Sequence, residues 1–205
     1  MPKIVDHAAR RLELADACLR VVSRSGLAGA TTREIAREAG VSHGIIAHYF
    51  SGKDEILHAA LQRSLDLLTV RVDDTVATLV GARALRAALV QAIPSDPSSL
   101  TGEQIELAFW GQALTDPRLA AERWQSYVRW RRLLMPLVLE ARRLGEMPEN
   151  VDPSVVVEAL IALVDGLGAQ AALYPERVAV GDQRAALDAV LRAFGIVIEE
   201  PGFSA

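Results

Sequence analysis

Cysteine is almost absent from this 205-residue chain: Cys18 stands alone, which excludes an internal disulfide and leaves no cysteine cluster for structural zinc or an iron–sulfur centre. Its expected role is that of a small buried hydrophobe. Aromatic residues are also scarce, at 5%, and a chain rich in Ala, Leu, Val and Arg favours helices over sheets. No stretch approaches the roughly 20 apolar residues of a membrane span, and the run 155–164 is interrupted by Glu158 and closed by Asp165. Residues 1–6 lack the apolar core of a signal peptide, so a soluble cytoplasmic protein with no membrane partner is expected. An excess of basic charge is missing too. A net charge of −4 argues against a protein that coats nucleic acid by bulk electrostatics. What is abundant is apolar: 51% hydrophobic residues against 23% charged can bury a core and exclude disorder.

The charge is unevenly spread. Residues 1–63 hold nine Lys and Arg against seven Asp and Glu, a balance of +2, whereas residues 64–205 hold thirteen against nineteen, a balance of −6. Two parts with different partners are expected. Apolar spacing and Gly, Pro and Ser punctuation predict an all-α fold of about nine helices. The predicted helices are 8–25, with Leu12, Ala15, Leu19 and Val22 on one face; a short one ending at Gly40; another from Ser42 through Phe50; and a long one from Lys53 to about Val80. Further helices are expected near 82–93, 101–115, 117–144, 153–173 and 182–198, with a loop over 94–99 and a kink or break at Pro136. The domain boundary is placed at 55/56, inside the long helix: residues 1–55 form one domain and 56–205 a larger one.

Residues 31–50 meet the requirements of a helix-turn-helix. Thr31 followed by Glu34 is a capping-box pattern, Ala36 is small enough for two helices to cross closely, and Gly40 supplies the left-handed backbone of a tight turn. Ile35, Ala39, Val41, Ile46 and Tyr49 supply the buried side. The second helix then presents its N-terminal end, as a recognition helix does to base edges in the major groove.

The sequence here resembles the TetR family of bacterial transcriptional regulators. The resemblance rests on a leading helix, the run Thr31-Thr32-Arg33-Glu34-Ile35-Ala36-Arg37-Glu38-Ala39-Gly40-Val41-Ser42, the His48-Tyr49-Phe50 ending, and Ser51-Gly52-Lys53-Asp54-Glu55-Ile56-Leu57 opening the next helix. It covers residues 8–63. Beyond it, Ala108-Phe109-Trp110, the Arg131-Arg132-Leu133-Leu134 run and Ala162-Leu163-Val164-Asp165-Gly166-Leu167 are similar to the C-terminal domain of the BetI-type subgroup. The resemblance implies a homodimer on a palindromic operator in double-stranded DNA, acting as a repressor that a small-molecule effector releases. Thr32 and Arg33 then contact phosphates; Ser42, His43, Gly44 and Ile45 sit at or near the bases; His48, Tyr49 and Lys53 return to the backbone. Tyr49 can equally be a core aromatic, and Ser42 a cap. His43 and His48 are five residues apart and share no helical face, so no metal site is expected there, and no cofactor is implied.

Phe109, Trp110, Trp124, Tyr127 and Trp130 bring every tryptophan and half of the aromatics into residues 109–130. Two readings stand: core packing, or a ligand pocket with Gln104, Glu106 or Gln112 as polar contacts. Arg129, Arg131 and Arg132 are read as a solvated face. The helices near 153–173 and 182–198 are apolar and rich in small residues, fitting a four-helix dimer interface or monomer core. No nucleophile elbow, phosphate-cradling glycine loop or His-Glu-x-x-His motif is present, so an enzyme is not expected. A helical interaction module that has lost specific DNA binding is the alternative.

Overall fold

The structure is a computed structural model describing residues 7–198. Among these residues it holds nine α-helices and no strand: α1 His7–Gly29, α2 Thr32–Glu38, α3 His43–Tyr49, α4 Lys53–Val76, α5 Gly81–Ala92, α6 Pro97–Ala113, α7 Pro117–Arg143, α8 Pro153–Leu173 and α9 Val180–Ala193. The chain divides into two compact units. One takes the described part of Met1–Leu67 with Ser95–Ala108, the other Leu68–Pro94 with the described part of Phe109–Ala205. Both α4 and α6 therefore contribute residues to each unit, and the contact-defined division of α4 falls twelve residues beyond the 55/56 boundary drawn from sequence.

In the first unit, α1 buries Leu14, Ala15, Ala17, Cys18, Leu19, Val21 and Val22. Leu12 is not among them, at 45% exposed. At about 100° per residue it lies roughly 200° round the helix from Leu14, on the outer face. Gly26 carries φ 67° and ψ 174° and interrupts α1 near its end, where the sequence placed a helix stop. The remaining core comes from Ile35 and Ala36 of α2, Ile46 and Phe50 at α3, and Ile56, Leu57, Ala60 and Leu61 of α4. Removing a fully buried leucine such as Leu14 from a core of this kind costs about 2–5 kcal/mol.

In the second unit, Ala82, Leu85, Ala88 and Leu89 of α5 pack with Leu134, Val138 and Ala141 of α7, Val156, Val157, Leu160 and Ile161 of α8, and Leu187 and Leu191 of α9. Every set repeats at three- or four-residue spacing, the stripe that a helix buries. The start of α5 is stapled to α7 and the turn after it: the Gly81 and Ala82 amides donate to the carboxylates of Glu140 and Glu146 at 3.0 and 2.7 Å. Gly81 has φ +57°, and a Cβ there would sit 2.1 Å from Glu146 Oε2, so only glycine fits. Gln183 is 2% exposed and donates from Nε2 to the Leu167 carbonyl at 2.6 Å, tying α9 to α8.

Three expectations need correction. The loop predicted over 94–99 ends early, because Pro97 opens α6. Proline is preorganised for a first helical position, and Asp96 Oδ1 accepts from the Ser98 and Ser99 amides at 2.9 and 3.0 Å. Pro136 does not break α7, which continues from Pro117 to Arg143 while Leu134, Val138 and Ala141 on either side of the proline are held in the core. Finally, α8 is long and apolar enough to cross a membrane by length and composition, although the sequence was read as having no such stretch. Its Ala and Gly residues keep it apolar around two acids, and its face of Val156, Val157, Leu160, Ile161 and Leu167 belongs to the unit's core.

Cys18 is fully buried, and burial pushes its thiol up to about 12, with Lys53 opposing the shift. At about pH 8 a thiol of this kind holds almost no thiolate, the reactive form. Iodoacetamide is expected to leave Cys18 unmodified in the folded protein and to alkylate it fully after denaturation, read by intact mass; equal labelling in both states contradicts this burial.

Candidate nucleic-acid interface

Seven-residue helices such as α2 and α3 are too short to persist alone, so caps and packing must hold them. Thr31 caps α2, its Oγ1 accepting from the Glu34 amide at 3.2 Å. The reciprocal half of the capping box is not made, since Glu34 instead pairs with Arg37. The turn closes as the sequence requires: Gly40 has φ +67°, its amide donates to Arg37 O at 3.2 Å, and the Val41 amide reaches back to Ala36 O at 3.0 Å. Ser42 occupies the N-cap of α3, but its side chain makes no capping hydrogen bond.

Ile46 is the one buried residue of α3. Ser42, His43, Gly44, Ile45, Ala47 and His48 are exposed, while Val41 and Tyr49 are partly buried. Thr32 Oγ1 and His43 Nε2 lie 3.0 Å apart, bringing together the first residues of α2 and α3. Next to them Arg33 is exposed and makes no hydrogen bond or ion pair with any described residue. Val41, Ile45, His48 and Tyr49 line a shallow cleft of about 360 Å³ together with Arg10.

Most other cations of this unit are engaged. Arg20 and Arg24 both donate to Glu38, at 2.8 and 3.0 Å, clamping α1 to α2. Their hydrogen bonds, Arg20 first, hold the Glu38 carboxyl below its ordinary range. Arg11 donates to the Tyr49 carbonyl and to Glu55 at 2.9 Å, and its guanidinium stacks 4.1 Å over the Phe50 ring. Glu55 also accepts from the Ser51 amide at 2.7 Å, which with Arg11 lowers its carboxyl. Lys53 donates to the Leu27 carbonyl at 2.6 Å and is partly buried, rather than standing free beside the start of α4. Tyr49 packs its ring against His7, centroids 4.7 Å apart.

The residues proposed for a ligand fall in both units. Gln104 and Glu106 are partly buried in the first unit, whereas Phe109 is buried and Trp110 partly buried in the second. Gln112 is exposed. Trp130 packs against the core of the second unit. Arg123 lies 4.7 Å over the Trp110 ring and pairs with Asp165 at 2.5 Å. Burial pushes the Asp165 carboxyl up, against the pull of Arg123. Trp124 and Tyr127 come together around space: their rings stack at 4.9 Å and line an open cavity of about 650 Å³ with Val128, Arg131, Met135 and Glu158. Tyr127 and Arg131 both donate to Glu158, lowering its carboxyl, and Glu158 in turn raises the phenol of Tyr127. Arg132 also lines this cavity, so two of the three arginines read as a solvated face take part in it. Glu158 and Asp165 were not singled out as site residues; their signal was two acids inside the apolar run of α8.

Two helices joined by a glycine turn, with the N-terminal end of the second left open, define a helix-turn-helix DNA-binding regulator. Residues 14–60 match the family model for bacterial regulatory proteins of the tetR family, and residues 81–195 match that for the BetI-type transcriptional repressor C-terminal domain. The chain is 36% identical over 194 residues to the HTH-type transcriptional regulator BetI 2 of Chromohalobacter salexigens, covering 90% of this chain and 87% of that one. A crystal structure of a transcriptional regulator from Rhodococcus sp. Rha1 aligns with TM-score 0.73 and 33% identity over 92% of this chain and 99% of that one. A regulator from Saccharomonospora viridis in complex with choline shares the fold, with TM-score 0.80 and 23% identity over 90% of this chain and 96% of that one. The protein belongs to the TetR family of DNA-binding transcriptional regulators, with a BetI-type C-terminal domain.

The Glu38 clamp has a pH signature. A carboxyl lowered in the folded state contributes stability that is present above its unfolded value, about 4.3, and lost as pH falls through the lower folded value. Thermal melts from neutral pH downward are expected to show a shallower acid loss for Glu38→Gln than for the unmodified protein; identical acid limbs would remove the clamp's role.

Proposed function

We propose that this protein is a cytoplasmic homodimeric repressor that binds a palindromic operator and is released by a small-molecule effector, with a regulatory rather than catalytic role. The observation that carries the reading is the open N-terminal end of α3, where a single buried residue, Ile46, seats the helix while His43, Gly44, Ile45, Ala47 and His48 are left exposed for a partner. Residues 1–55 read DNA, and residues 56–205 dimerise and bind the effector. Ser42, His43, Gly44 and Ile45 lie at or near the bases, and Thr32 and Arg33 meet phosphates. His48 and Tyr49 approach the backbone beside them. Lys53 acts on DNA through the position of α4, since its ammonium is held by Leu27.

Dimerisation uses the outer faces of α8 and α9. Val155, Ala162, Gly166 and Leu173 are exposed along α8, and Ala185, Ala189 and Ala193 are exposed at four-residue spacing on α9. Small residues at such spacing let paired helices approach closely. Two heads one helical turn apart then match an operator with two-fold symmetry.

For the effector, the stacked Trp124 and Tyr127 favour a ligand with a flat apolar face. The choline held by the Saccharomonospora regulator is not carried over. Glu158, the acid lining this cavity, is already taken by Tyr127 and Arg131, and Arg132 stands beside it, so no uncompensated carboxylate awaits a quaternary ammonium. Shifting a dimer from 1:99 to 99:1 between its DNA-binding and released states requires about 5.5 kcal/mol of differential effector affinity.

A footprint upstream of its own or a neighbouring gene tests the DNA reading; binding of equal strength to unrelated duplexes, or none, favours the interaction-module alternative. Arg33→Ala is expected to weaken operator binding uniformly across sequences and to reduce the log–log salt slope by about 2 per dimer, one for each lost phosphate contact. Ala189→Arg is expected to convert the dimer to monomer in analytical ultracentrifugation; an unchanged sedimentation coefficient moves the interface elsewhere.

A further inference from the structure

On the second unit, α5, α9 and the segment after α9 enclose an open cleft of about 1140 Å³ that shares no lining residue with the Trp124–Tyr127 cavity. Its apolar lining is aliphatic, with Leu79, Ile196, Val197 and Ile198, and no aromatic ring lines it. Its charged lining is Arg83, Arg86 and Arg192 against a single carboxylate, Asp188. Arg86 and Asp188 satisfy each other through two parallel hydrogen bonds of 2.6 and 2.9 Å. Arg192 is exposed and adds a longer-range attraction to Asp188.

Arg83 is different. It is partly buried and makes no hydrogen bond, ion pair or ring contact with any described residue. A guanidinium with no partner among the described residues keeps its planar fork of donors open, and that fork matches a carboxylate with two parallel bonds. Three arginines and one aspartate leave two positive charges beside an apolar lining. An apolar concavity with a few convergent polar groups is how small-molecule sites are built.

We infer that this cleft binds an amphipathic carboxylate with an aliphatic tail, its head on Arg83 with Arg192 beside it and its tail along Leu79 and Ile198. This site is separate from the effector cavity, and its chemistry does not depend on how α3 reads DNA. The chain itself carries two carboxylates directly after Ile198, Glu199 and Glu200, so the test must tell a bound carboxylate from the chain's own.

The full-length protein is titrated with octanoate at low salt by calorimetry, with octanol and octyltrimethylammonium as probes of the same tail. Saturable octanoate binding is expected, weakened about tenfold by Arg83→Gln, the loss of one charge-assisted contact. Asp188→Asn, which frees Arg86 for the ligand, is expected to tighten it severalfold. Arg192→Gln alters an exposed side chain and is expected to weaken binding, which keeps the idea testable should Arg83→Gln fail to fold. The proposal is overturned by octanol binding as tightly as octanoate, by affinities unmoved in both arginine variants, or by loss on Trp124→Ala in their place. It is also overturned by octanoate binding that appears only when Glu199 and Glu200 are changed to glutamine, which assigns the arginines to the chain's own carboxylates.

Discussion

Everything the first unit offers to a partner depends on the burial of α1. Neither α2 nor α3, at seven residues each, can close enough hydrogen bonds to outweigh the cost of ordering its backbone. They exist as helices because Ile35, Ala36 and Ile46 are taken into the layer formed by Leu14, Ala15, Cys18 and Val22. The glycine turn sets the angle between them, and the two arginines on Glu38 fix how far α2 can slide along α1. The open end of α3 is thus positioned by residues that never reach the surface where it acts.

Much of this was legible in the sequence because the signals are local. Thr31, Gly40 and the residues between them are close neighbours in the chain, and the chemistry of a cap or a positive φ needs no knowledge of the rest. The failures were non-local or involved competition between local rules. Leu12 fitted a helical stripe by spacing, but the core chose the stripe centred on Leu14 and Cys18. Pro136 obeys a local rule that predicts disruption, yet the burial of Leu134, Val138 and Ala141 around it outweighs the lost hydrogen bond. Pro97 was grouped with loop residues by composition, although the same residue after an aspartate cap is a good first helical position.

The aromatic residues show the same limit at the level of a site. Within 109–130 their clustering was plain, but which rings meet depends on how α6, α7 and α8 face one another. Trp130 turns to the core, Trp110 lies under Arg123, and Trp124 stacks on Tyr127. The acids that accompany them come from α8, far along the chain, and no spacing rule connects Tyr127 to Glu158 or Arg123 to Asp165. Arg83 was invisible for a different reason, since in the sequence it is one arginine among many, and only the fold shows it without a partner among the described residues.

Gln183 has a consequence for how α8 and α9 can change. The buried faces of the two helices are aliphatic, with Val156, Val157, Leu160, Ile161 and Leu167 on α8 and Leu187 and Leu191 on α9, and apolar contact of this kind carries no direction of its own. The amide of Gln183 donating to the Leu167 carbonyl adds a directional contact to that layer, because a slip of even one residue costs its Nε2 this partner while its Oε1 already has none among the described residues. A change of register between α8 and α9 therefore costs about 1–3 kcal/mol, the penalty for a buried donor left unpaired. Substitution among the aliphatic residues of the pair can then retune how tightly it packs while this one polar contact marks its alignment.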